Sequence, residues 1–139
     1  MKNFIKIEKI WQDDDFFEVE IICSSEIITA STRVYITEES IDSLSSQIKK
    51  FFSGIIGTCF WENGEKGDGT TTYISLEISK KDKFGHILIE VYMELNDGGD
   101  FSKHNCCFYI ETELGLLDRF NSNLATLKEP QIGIQVVLN

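Results

Sequence analysis

No apolar run in this chain approaches the roughly 20 residues that a helix needs to cross a bilayer. The opening MKNFIKIEKIW interleaves charges with apolar residues and offers neither an uninterrupted apolar segment nor a small-residue cleavage site. No export signal is therefore expected. Cysteine occurs without framework spacing: Cys23, Cys59, Cys106 and Cys107 all sit inside apolar, strand-like runs. That pattern predicts buried thiols rather than disulfides, and a cytoplasmic location. Positive charge is scarce as well. With 13 Lys+Arg against 23 Asp+Glu the formal net charge is −10 and the pI near 4.6. This balance argues against nucleic-acid backbones and anionic membranes as partners and admits a basic protein. An acidic surface also serves plain solubility.

Catalytic groupings are missing too. His104 and Cys106 share one face of a strand, the minimum for a pair of metal ligands or a Cys–His nucleophile. No second ligand pair stands elsewhere, and an activated thiolate wants an electropositive, partly exposed setting. The run Asp13-Asp14-Asp15 lacks the alternating ligands and glycine of a calcium loop and reads as a turn. The glycine-bearing ENGEKGDG lacks the lysine and Ser or Thr of a phosphate cradle, and a strand follows it where a helix would be needed. The expectation is a protein with no enzymatic activity, no metal and no cofactor.

What is present is a chain of 139 residues, 42% hydrophobic and 26% charged, enough for one globular domain over residues 1–139 with a real core. Its centre of organisation runs from Phe84 to Leu127: GHILIEVYMEL, the turn NDGGD, HNCCFYIE, then the helical TELGLLDRFNSNLATL. Residues 3–11 alternate weakly and suggest a first strand at a sheet edge, where Lys6 and Lys9 discourage further pairing. Phe17, Val19, Ile21 and Cys23 share the inward face of a second strand, and Ile28, Ala30, Thr32, Val34 and Ile36 that of a third.

Thr37 is placed to cap a helix in which Ile41, Leu44, Ile48, Phe51 and Phe52 recur at helical spacing, with Lys49 and Lys50 in its last turn and Gly54 beyond it. Residues 55–62 suggest a short strand of unassigned face. Further strands put Ile74, Leu76 and Ile78, then Ile87, Ile89, Val91, Met93 and Leu95, then Cys106, Phe108 and Ile110 inward. Thr112 is expected to cap the second helix, whose stripe is Leu114, Leu117, Phe120, Asn121, Leu124 and Leu127; Pro130 ends it, and residues 131–138 suggest a last strand beside the first. The fold predicted is α+β: a single antiparallel sheet of about six to eight strands with two helices on one face, in the order β-β-β-α-β-β-β-β-α-β.

On such a sheet the uncovered face would carry Glu18, Glu20, Tyr73, Glu77, Glu90, Tyr92, Glu94, Tyr109 and Glu111. Tyrosines set among carboxylates suit a protein-binding surface, the rings supplying flat apolar area and the charges steering. The order of strands, helix (TEESIDSLSSQIKKFF), strands and final helix, and more specifically GHILIEVYMEL followed by FYIETELGLLDRFNSNLATL, resembles the WapI-type immunity proteins of bacterial polymorphic-toxin systems. The resemblance covers roughly Phe16 to Leu127; the first strands and the ENGEKGDG loop do not match its pattern. It implies a protein that protects its producing cell by binding a cognate toxin domain, often a nuclease, as a monomer or weak dimer. A basic nuclease cleft would accept a carboxylate array in place of phosphate. A small acidic secretion chaperone and a ligand-binding domain remain alternatives. The first should dimerise and expose apolar grooves, and the second needs a lined cavity.

Overall fold

A computed structural model describes residues 2–96 and 104–139. Its elements are β1 (Phe4–Gln12), β2 (Phe17–Ser24), β3 (Thr29–Ile36), α1 (Glu38–Phe52), β4 (Thr58–Asn63), β5 (Tyr73–Lys80), β6 (His86–Leu95), β7 (His104–Glu113), α2 (Leu114–Asn123) and β8 (Gln135–Leu138), with a 3-10 turn over Leu124–Lys128. This is the succession that the alternation of residues predicts. The turn expected at NDGGD lies, beyond Asn96, outside the described residues.

The single sheet is not observed. The strands form two antiparallel sheets of four, in the orders β3-β2-β1-β8 and β4-β5-β6-β7. The break falls where α1 carries the chain away from β3. On either side of it consecutive strands pair antiparallel, and these pairs stay together. The inner faces of the two sheets share one buried cluster that includes Ile5, Ile21 and Val136 from the first sheet and Leu76, Ile89 and Ile110 from the second. Each sheet therefore covers the other's apolar face, as in a sandwich, and the helices are not needed as a lid over one side. Instead α1 packs against edge strand β4, while α2 packs against β7 and β8, an edge strand of each sheet.

The strand-level register follows the sequence. Ile87, Ile89, Val91 and Met93 are 0–1% exposed, and Glu90 and Tyr92 between them are half-buried on the other face. The β1–β8 pairing sets Ile5 against Leu138 and Ile7 against Val136, as expected for a last strand beside the first. That pairing makes β1 an interior strand rather than an edge. Lys9, expected to guard an edge, is buried. Its Nζ donates to Gln12 Oε1 at 2.7 Å and to the Glu129 carbonyl, and lies 4.9 Å from the centroid of the Phe17 ring. Burial lowers its pKa, with the nearby Glu38 and Glu129 carboxylates acting in the opposite sense.

Helix ends divide the same way. Thr37 caps α1, its Oγ1 accepting the Ser40 N–H at 3.2 Å, and Gly54 follows with a φ of 78° that favours glycine. Thr112 does not cap α2. It remains in β7, buried, where its hydroxyl donates to the Asn139 carbonyl at 2.6 Å. Glu113 occupies the cap position without a side-chain bond, and the Leu114 N–H is satisfied by the Gly85 carbonyl at 2.8 Å. A turn distant in sequence thus supplies the acceptor that a local cap would have given. Three residues expected to be buried are outside. Ile28, 37% exposed, precedes β3 in a turn where the Ser25 hydroxyl accepts its N–H, and Leu114, 38% exposed, opens α2. The Cys107 thiol is exposed because alternation along β7 turns it away from the core. Leu117 is 0% exposed, and Phe120, Leu124 and Leu127 are buried as the helical spacing requires.

Candidate functional site

Alternation along β5, β6 and β7 sends Glu77, Glu90, Tyr92, Glu94, Tyr109 and Glu111 to the outer face of the second sheet, away from the core. The pairing sets Glu77 directly opposite Glu90, and Glu90 opposite Tyr109. Around Glu90 the Tyr109 hydroxyl donates to Oε2 at 3.2 Å and the Cys107 thiol to Oε1 at 3.6 Å. One strand position along, the Tyr92 hydroxyl donates to Glu94 Oε2 at 2.5 Å. At the far end Lys81 pairs with Glu111 at 2.6 Å, an exposed contact worth little.

The loop after β4 reaches over this face. Gly64 has a φ of 96°, and a Cβ there would stand 2.4 Å from the Thr72 carbonyl oxygen, so only glycine closes the loop's neck. From that neck the Gly67 N–H donates to Glu94 Oε1 at 2.8 Å, Lys66 Nζ sits 4.9 Å from the centroid of the Tyr92 ring, and Asn96 donates to the Thr70 carbonyl. Within the loop Asp68 Oδ2 accepts both the Thr70 and Thr71 hydroxyls, at 2.9 and 2.7 Å. Tyr73, expected on the open face, is consequently only 2% exposed, with its hydroxyl donating to Glu62 Oε1 at 2.9 Å and its ring 6.0 Å from that of Tyr92. Glu18 and Glu20 do not join the face at all. They lie on β2 in the other sheet, Glu20 between Glu8 and Arg33 in register and 3.8 Å from the Arg33 Nε.

What remains together is a concave carboxylate–aromatic site. A recess of about 360 Å³ is lined by three carboxylates, Glu62, Glu77 and Glu90, with Phe60, Tyr92 and the Lys66 side chain among its other walls. Phe60, Glu62 and Lys66 were not foreseen. The alternation in TCFWEN could have placed the first two, since Cys59 and Trp61 are the buried pair and Phe60, 47% exposed, faces out.

The titration of this face reports its sign. Tyr92 is pushed up to about 12, chiefly by its bond to the Glu94 carboxylate, with burial next. Tyr109 is raised by its bond to Glu90, and Cys107 by burial and then by the same carboxylate. Cys23 and Cys59, in the core, are pushed up to about 12 and about 11 by desolvation. The carboxylate contributions at Tyr92, Tyr109 and Cys107 disfavour a further negative charge on this face, whereas burial keeps the core thiols protonated. No cation lies within 4 Å of Glu62, Glu77 or Glu90 among the described residues. Among those residues, too, no group of three or more His, Cys, Asp or Glu side chains is arranged to hold a metal ion, and no helix is long and apolar enough to cross a membrane. The chemistry on offer is recognition of a guanidinium or ammonium group between carboxylates and ring faces. No protein-family model, curated protein or solved structure matches this chain, so what the face can do rests on that chemistry.

Proposed function

We propose that this chain is a stoichiometric binder of a basic protein partner, and specifically an immunity-type protein that neutralises a cognate toxin domain in the cytoplasm of its producing cell. The partner's arginine or lysine side chains dock on the outer face of β4-β5-β6-β7, and one enters the recess between Glu77 and Glu90. The observation that carries this reading is that pair. Like charges set directly opposite across a strand pair destabilise a sheet. Here no cation within the described residues comes within 4 Å of either carboxylate, the Lys66 Nζ on the recess wall lying 4.9 Å from the centroid of the Tyr92 ring instead. A partner's cation would convert the repulsion into two charge-assisted bonds. The toxin-domain identity of the partner rests on the resemblance of GHILIEVYMEL and FYIETELGLLDRFNSNLATL to the WapI-type immunity pattern.

The test is Glu77→Lys. It places a cation opposite Glu90 from within the chain, filling the recess while keeping the sheet intact. Co-expressed with a basic toxin domain that it recognises, the wild-type chain should rescue growth and bind at one-to-one stoichiometry, with association slowing steeply as salt rises. The variant should fold, as judged by circular dichroism, and fail to rescue. A folded Glu77→Lys chain that protects fully would remove this face as the interface.

A further inference from the structure

We propose that the chain carries a second docking surface, an aromatic cleft on the sheet β3-β2-β1-β8 that takes an arginine-bearing segment of a protein partner. Trp11, Phe16 and Tyr35 meet there with ring centroids 6.2, 6.0 and 5.5 Å apart, Tyr35 making edge-on contact with both others. They are 43%, 37% and 57% exposed, whereas the other tryptophan, Trp61, is 8% exposed in the core. With Ile36 and Thr37 they line a hollow of about 430 Å³. Three large rings held together in water form a patch of the kind that marks an interaction site.

The backbone builds this cluster deliberately. Ile5, Ile7 and Lys9 point inward in turn, and strict alternation would send Trp11 inward after them. A bulge between Lys9 and Trp11 shifts the pairing so that Trp11 stands opposite Glu18 instead. Bulges re-aim side chains in this way. Tyr35 is the partner of Glu18 on the other side, so the two rings flank one carboxylate across three strands. Phe16 is fixed by the turn before β2, where Asp13 Oδ1 accepts its N–H at 2.9 Å.

The occupant follows from the rim. Besides Glu18, the turn Asp13-Asp14-Asp15 adjoins Phe16, and Glu38 and Glu39 follow Thr37 directly. Of the nearby cations, Arg33, two residues from Tyr35 on the same face of β3, lies 3.8 Å from Glu20, Lys128 on the acidic side is engaged by Asp42 at 2.7 Å, and Lys9 is buried. Such a rim repels a second copy of this chain, which would bring the same carboxylates, and repels phosphate-bearing ligands. Aromatic faces with carboxylates on an adjoining hollow, which shares Phe16 and Thr37, suit the guanidinium group, which stacks flat on a ring while its N–H groups reach acceptors beside it. The inference rests on the reading of a basic protein partner but shares no residue with the Glu77–Glu90 recess.

The experiment is an amide-resolved NMR titration of the full chain with a short synthetic peptide of alternating arginine and leucine, and with its glutamate–leucine counterpart. Shifts should centre on Trp11, Phe16, Glu18 and Tyr35, persist in Glu77→Lys, and be absent with the acidic peptide. Replacing the peptide's arginines by lysine should weaken this binding about fivefold, and Trp11→Ser should weaken it about tenfold or more. Shifts confined to Glu77, Glu90 and Tyr109 that vanish in Glu77→Lys would overturn the second surface while leaving the first standing. No shifts at the aromatic cluster, or equal shifts with the acidic peptide, would overturn it too. Should Trp11→Ser fail to fold, the wild-type shift map decides.

Discussion

Replacing Glu77 by glutamine should make this protein more stable while weakening its hold on a partner. Glu77 is exposed, Glu90 opposite it is half-buried, and among the described residues Glu77 makes no hydrogen bond or ion pair that the amide would forfeit. The Cβ atoms of directly opposed residues stand about 5 Å apart, and that distance is taken for the two charges. In a medium of effective dielectric about 70, two unit charges at that distance repel by about 1 kcal/mol, and screening over a Debye length of about 8 Å roughly halves it. The expected gain is therefore about 0.5 kcal/mol, within the range for like-charged cross-strand pairs. For a domain of this size that is a rise of about 2 °C in Tm. Thermal denaturation followed by circular dichroism at about 0.02 M and about 1 M salt tests it, because the gain should shrink as screening grows. Glu90→Gln is the contrast. That carboxylate accepts from both Tyr109 and Cys107, so its loss should offset any relief. A Glu77→Gln protein that melts lower, or one whose gain is as large in high salt, would refute the electrostatic account of the recess.

Two further outcomes follow from the core and from the tyrosines. Leu117→Ala should cost about 2–5 kcal/mol in urea denaturation, because the side chain is fully enclosed, and a loss below about 0.5 kcal/mol would mean that α2 is not docked as described. Tyr73, Tyr92 and Tyr109 all have raised pKa values, so the folded state holds their protons more tightly than the unfolded one. Their contribution should be complete below the ordinary tyrosine value of about 10 and fall away as pH climbs toward the Tyr92 value of about 12. Denaturant titrations across that window check this, with Tyr92→Phe flattening the decline. Stability unchanged up to that pH would contradict it.

Much of the fold was legible because alternation is a local signal. Ile89 and Val91 against Glu90 and Tyr92, or Ile41, Leu44 and Ile48 along a helix, declare their faces within a few residues. Which strands share a sheet is not local. Nothing in NFIKIEKIW alone indicates that its free side will be filled; only the apolar tail QIGIQVVL suggests a last strand beside the first, the pairing that sets Ile5 against Leu138. The same long-range closure buried Lys9 and left Thr112 bonded to Asn139 rather than capping α2. The candidate site was legible in the same partial way. Its carboxylates on β5 to β7 were placed correctly, but alternation assigns a side without saying what lies above it, so the loop over Tyr73 was invisible. Glu18 and Glu20 were assigned to that face only because one sheet was assumed. Trp11 escaped notice because a one-residue bulge overrides the period from which faces are read.

The position of β1 also dictates an order of assembly. One of its neighbours, β2, follows it at once, while the other, β8, comes after all the other described strands in chain order. The meander β4 to β7 can zip hairpin by hairpin as it emerges, yet the first sheet stays open along β1 until residues 135–138 arrive. Pairings of such long sequence separation form slowly, since loop closure must precede the contacts that reward it. During that interval the unfilled side of β1 is a bare row of backbone donors and acceptors, able to template another chain. A chain cut just before Gln135 would keep that edge open permanently, and the four residues of β8 act in this sense as an internal guard against aggregation.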